Sequence, residues 1–80
     1  MRIQLFDRGS PQGKQLFANL DAVCKRLQIE NDPEYIQDMN RPYSQGIQGK
    51  TVLMIDNEVA LVDKYPSVKE LENLLSDYIK

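Results

Sequence analysis

A serine followed by a proline at positions 10 and 11 stands between a short apolar run and a long stretch of helical periodicity, and this junction constrains the chain most. The run Arg2-Ile3-Gln4-Leu5-Phe6 has strand composition. Ser10 supplies a side-chain oxygen that caps free N–H groups, and Pro11 suits the first helical position, where no N–H is needed. Beyond it Leu16, Phe17, Leu20, Val23, Cys24 and Leu27 recur at spacings of three and four, with Lys14, Asn19, Asp21, Lys25 and Arg26 on the other side. That pattern predicts an amphipathic helix over residues 11–28 with one buried face.

The remaining elements follow in order. Asn31-Asp32-Pro33 is a turn, and Glu34-Tyr35-Ile36-Gln37-Asp38 reads as a second strand. Asn40-Arg41-Pro42 starts a short helix that runs to Gln45 and is limited by Gly46 and Gly49. Thr51–Ile55 has buried-strand length, and the Asp56-Asn57 turn joins it to Glu58–Val62 as a hairpin. Ser67-Val68-Lys69-Glu70 is a capping box that opens a last helix, with Val68, Leu71, Leu74, Leu75, Tyr78 and Ile79 expected inward. The expected architecture is therefore an α/β layer, β-α-β-(short α)-β-β-α, forming one domain over residues 1–80.

Composition removes several functions. The net charge is −2, with acids and bases interspersed, which gives no reason to expect nucleic acid or an anionic membrane as partner. No segment has a signal-peptide pattern, and the apolar runs are too short to span a bilayer, so the cytoplasm is the expected compartment. With no histidine, Ser-His and Cys-His mechanisms cannot be assembled from this chain. A single cysteine, Cys24, forms no intrachain disulfide, and thiolate metal sites need several ligands, so neither a metal nor a cofactor is expected.

The order of elements and several local motifs resemble the small glutaredoxin-like thioredoxin family of redox-active disulfide proteins. The resemblance covers nearly the whole chain. Gly9-Ser10-Pro11-Gln12-Gly13 stands where that family carries Gly-Cys-Pro-x-Cys. Gly46-Ile47, Thr51–Glu58 and Tyr65-Pro66-Ser67-Val68-Lys69-Glu70-Leu71 match its later motifs in order and approximate spacing. The resemblance implies a thioredoxin-like fold with a four-stranded mixed sheet in order 2-1-3-4. It also implies two long helices on one face and the short helix on the other.

The departures fall on the chemistry. Ser10 and Gly13 replace the two active-site cysteines, and Thr51 stands near the place of the family's cis-proline, with no proline between Pro42 and Pro66. Loss of both sulfurs removes thiol–disulfide exchange. The expected function is a redox-inactive module that binds protein or peptide, with no catalytic residue. By analogy with the family's groove, its surface would comprise Arg8, Gly9, Ser10, Pro11, Gln12, Gly13, Lys14, Tyr43, Lys50 and Thr51. The alternative is a thiol–disulfide or glutathione-linked enzyme working through Cys24 or a partner's cysteine. Cys24 lies on the apolar face near the C-terminal end of its helix, where the dipole no longer favours a thiolate, so a buried, inert thiol is expected.

The loop Gly9–Lys14 is also similar to a phosphate-binding loop, and Val52–Asp56 to the strand that supplies an acid near Mg²⁺. The loop is one residue short, however, and Gln15 stands where Ser or Thr would hold Mg²⁺. Nucleotide hydrolysis is therefore not expected. Weak anion binding over Ser10–Lys14, at an open helix N-terminus, is the residual expectation. Asp7, Asp38, Asp56 and Glu58 read as solvated carboxylates, Tyr78 as core and Tyr43 as the exposed tyrosine. Unpaired strand edges leave pairing with a second copy of the chain open.

Overall fold

The computed structural model describes residues 1–79. Its elements are β1 (Ile3–Asp7), α1 (Pro11–Arg26), β2 (Glu34–Ile36), α2 (Asn40–Ser44), β3 (Thr51–Ile55), β4 (Glu58–Val62) and α3 (Val68–Ile79). The sheet has the order β2-β1-β3-β4. β1 pairs parallel with β2 and antiparallel with β3, and β3 pairs antiparallel with β4. This is the expected fold and strand order.

The central strands β1 and β3 are buried along their whole length, which is why their sequences are near-continuous apolar runs. Alternation divides their side chains between two layers. Ile3, Leu5, Leu53 and Ile55 meet Leu16, Leu20, Val23 and Cys24 of α1 and Leu71 and Leu75 of α3. Phe6, Val52 and Met54 face the other way and join Met39, at the start of α2. Full burial of each large side chain contributes roughly 1.5–3 kcal/mol, so both layers hold the sheet.

Local chemistry sets the element ends. The Ser10 hydroxyl accepts from Gly13 N–H at 3.0 Å and Pro11 takes the first helical position, as expected. α1 stops at Arg26 rather than residue 28, because Gln28 turns left-handed (φ 56°) and Ile29 N–H donates back to the Cys24 carbonyl. β2 ends at Ile36 rather than Asp38, whose carboxylate instead accepts from Asn40 N–H and leads the chain into α2. Gly46 (φ 80°) closes α2, with Ile47 N–H donating to the Pro42 carbonyl.

Asp56 and Asn57 both adopt positive φ, the two-residue turn that matches strand twist. In the α3 capping box Ser67 N–H donates to Glu70 Oε1 and Glu70 N–H to Ser67 Oγ. The end of α3 departs from expectation. Tyr78 and Ile79 are 38% and 51% exposed and line a surface depression with Met1, Leu27, Ile29 and Asp56 instead of entering the core. Among the described residues, no helix is long and apolar enough to cross a membrane.

Candidate functional site

The degenerate motif is built around a carboxylate that the sequence reading placed in solvent. Asp7 is the last residue of β1 and is 1% exposed. It follows Ile3 and Leu5 at a spacing of two, so its side chain falls on the α1 face of the sheet. Its strand partner across the β1–β3 pair is Thr51.

Oδ2 of Asp7 accepts from Gly9 N–H at 3.0 Å, Ser10 N–H at 2.8 Å and the Tyr35 hydroxyl at 2.7 Å. Oδ1 accepts from the Ser10 and Thr51 hydroxyls at 2.8 and 2.7 Å. Thr51 has one hydroxyl proton, which goes to Asp7. The 2.8 Å contact between Thr51 Oγ1 and Tyr65 OH is therefore donated by Tyr65. One carboxylate thus ties together the end of β1, the cap of α1, β2, β3 and the approach to α3. Among the described residues, no buried side-chain nitrogen or oxygen lacks a partner.

Burial alone would raise the Asp7 pKa, but donation from Thr51, Tyr35, Ser10 and the Gly9 backbone outweighs it, and the pKa falls to about 2. The Tyr35 phenol moves the other way, to about 12, through burial, its hydrogen bond to Asp7 and the charge it faces. A carboxylate with so low a pKa is a poor base. The Ser10 hydroxyl gives its proton to Asp7 and accepts one from Gly13 N–H, so it is a cap and not an activated nucleophile.

Gly13 makes this arrangement possible. A Cβ at residue 13 would lie 2.1 Å from Asp7 Cγ, so the carboxylate fills the space that a side chain there would need. The expectation of an open helix N-terminus is corrected by this contact. Gly9 and Ser10 N–H groups bind Asp7, Gly13 N–H binds Ser10 Oγ and Lys14 N–H binds the Ser10 carbonyl. The chain's own carboxylate stands where the anion expected over Ser10–Lys14 would sit.

The other expected site residues divide into two groups. Arg8, Ser10, Tyr43 and Lys50 line a cavity of about 250 Å³ with Asp7 at its inner side. Tyr43 is 44% exposed, as expected, and the Arg8 guanidinium carbon lies 5.8 Å from its ring centroid. Pro11 and Gln12 line a neighbouring depression with Tyr65 and Pro66, and Lys14 is exposed. Gly13 and Thr51, in contrast, are buried and present no surface. Lys50 and Thr51 N–H groups are both held by Asp63 Oδ1, at 2.7 and 2.9 Å.

Cys24 is 4% exposed, and its thiol pKa is raised by burial and by the Asp21 and Asp32 carboxylates, which disfavours the thiolate. Among the described residues, no three metal-ligating side chains converge. Asp7, Tyr35 and Tyr65 are the site residues that sequence reading missed. A signal for Asp7 was available: it shares strand parity with Ile3 and Leu5, and a glycine stands on the facing helix turn.

The sheet order and the flanking helices are those of a thioredoxin-like fold. The chain is 26% identical to a thioredoxin from Methanothermobacter thermautotrophicus over 76 residues, which cover 95% of this chain and 99% of that one. No family model matches the chain. The chain has one cysteine, Cys24, buried in the core, which is consistent with loss of the sulfurs of a thioredoxin motif.

Proposed function

We propose that this chain is a cytoplasmic, redox-inactive thioredoxin-like module that binds extended polypeptide beside its degenerate motif. The observation that carries the reading is the Asp7–Gly13 contact. A carboxylate held by Ser10, Tyr35 and Thr51 takes up the room a side chain at 13 would need, so the motif is rebuilt as a rigid polar plug. Around it the cavity lined by Arg8, Tyr43 and Lys50 stays open. An exposed tyrosine beside a depression suits peptide docking, because it offers contact area with few rotors to order. The burial of Cys24 speaks against the thiol-based alternative.

The test pairs an activity with a binding map. The chain should not accelerate insulin disulfide reduction by dithiothreitol. Titration with carboxamidomethylated lactalbumin, a permanently unfolded chain, should shift the amide resonances of residues 8–14, 43 and 50. Shifts confined to the far end of the sheet, around Leu27 and Tyr78, would remove the groove.

A further inference from the structure

We infer that the groove selects acidic peptide segments, an inference that rests on the binding reading above and names its partner class. The chain carries a net charge of −2, yet three cationic side chains, Arg8, Lys14 and Lys50, stand beside the motif. Arg8 and Lys50 line the cavity. The Lys14 side chain runs along the same loop, its Cε 4.0 Å from where a Cβ of Gly9 would stand. Among the described residues, ion pairs join Arg2 to Glu34, Lys25 to Asp21 and Arg26 to Glu72, and none involves Arg8, Lys14 or Lys50.

Two carboxylates here, Asp7 and Asp63, keep their negative charge, and both face the chain's own donors, so against three cations they leave a net positive charge around the motif. Asp7 is enclosed by its donors, and Asp63 Oδ1 accepts from the Lys50 and Thr51 N–H groups. The Ser10 hydroxyl has given its proton to Asp7, so it has none to offer a ligand carboxylate. Recognition falls to the three side-chain cations and to the Tyr43 ring, which holds the Arg8 guanidinium at the cavity wall.

A peptide carboxylate seated between Arg8 and Lys50 gains charge-assisted hydrogen bonds, and its neighbouring side chains lie against Tyr43. A long polyanion such as nucleic acid is disfavoured by the net negative charge of the whole chain.

Fluorescein-labelled octapeptides of alternating Ala and Glu, Ala and Gln, or Ala and Lys, with oligo-dT of eight nucleotides as a fourth probe, discriminate the outcomes by anisotropy and amide shift mapping. The Glu peptide should bind at least tenfold more tightly than the Gln peptide at low salt, with shifts at Arg8, Tyr43 and Lys50. The R8E/K50E variant should reverse that order while its circular dichroism and thermal midpoint stay those of a folded chain, and K14E/K50E serves if R8E disturbs the fold. Equal binding of Glu and Gln peptides in the groove overturns the acidic preference and leaves the groove reading standing. Shifts only at the far end, or no binding by any peptide, overturn both. Tighter binding of oligo-dT at the same residues overturns the peptide assignment.

Discussion

The carboxylate of Asp7 and the backbone of Gly13 share one space: a Cβ built on Gly13 falls 2.1 Å from Asp7 Cγ. A side chain at 13 therefore forces the Asp7 carboxylate out of its place. G13A should destabilise the chain by about 1–3 kcal/mol through overpacking, despite the better helix propensity of alanine. In a D7A background the same change should cost less than about 1 kcal/mol, and a double-mutant cycle by urea denaturation measures the difference.

The same exclusion governs attempts to restore redox activity. S10C/G13C should fail to reduce insulin faster than buffer, because the second sulfur meets Asp7. D7A/S10C/G13C should bring the two sulfurs close enough to form a disulfide, detected by loss of free thiols on mild oxidation. Disulfide formation in S10C/G13C with Asp7 intact would contradict the steric account.

Asp7 also sets an acid limit on stability. Its folded pKa of about 2 lies below the ordinary 3.8, so the folded state favours the ionised form. That contribution, about 2 to 2.5 kcal/mol, is fully present above about pH 5 and is lost as pH falls from about 4 through 2. Urea unfolding of the native chain and D7N between pH 2 and 7 should show a stability gap that is flat near neutrality and narrows toward pH 2. A gap constant down to pH 2 would mean that the Asp7 pKa is the same in the folded and unfolded states, and a gap that widens toward acid that the carboxyl is neutral in the fold.

The donors around Asp7 should rank by burial. T51V keeps its shape but removes the proton donated to Asp7 and the acceptor of Tyr65, which should cost about 1–3 kcal/mol. Y35F removes one donor and should cost about 1–2 kcal/mol while raising the Asp7 pKa. Y65F, whose residue is 44% exposed, should cost less than about 1 kcal/mol. Chemical denaturation gives the order, and the Asp7 carboxyl ¹³C shift follows its titration.

Cys24 should react with iodoacetamide only through opening of the core. Labelling at pH 8 should be at least a hundredfold slower in the folded chain than in 6 M urea. Its pH profile should lie above that of a free thiol, in keeping with burial and the nearby Asp21 and Asp32 charges. Fast labelling of the native chain would return Cys24 to consideration as a reactive group.

The fold was legible in the sequence because its determinants are local and periodic. Ser10-Pro11 starts α1, the Ser67–Glu70 box starts α3, Asp56-Asn57 closes the hairpin, and the apolar runs supply β1 and β3. Absence of the two sulfurs needed only the residue identities. What took the place of the redox pair was decided in three dimensions. Asp7, Tyr35, Thr51 and Tyr65 come from four separate stretches of chain, and only strand pairing brings their oxygens within hydrogen-bond reach. The exposure of Tyr78 and Ile79 was decided the same way: a helical stripe shows which face is apolar, but not which of its residues the rest of the chain covers. Periodicity assigns a face to each side chain. Whether a polar group on that face is solvated or held by donors depends on what the rest of the chain brings to meet it.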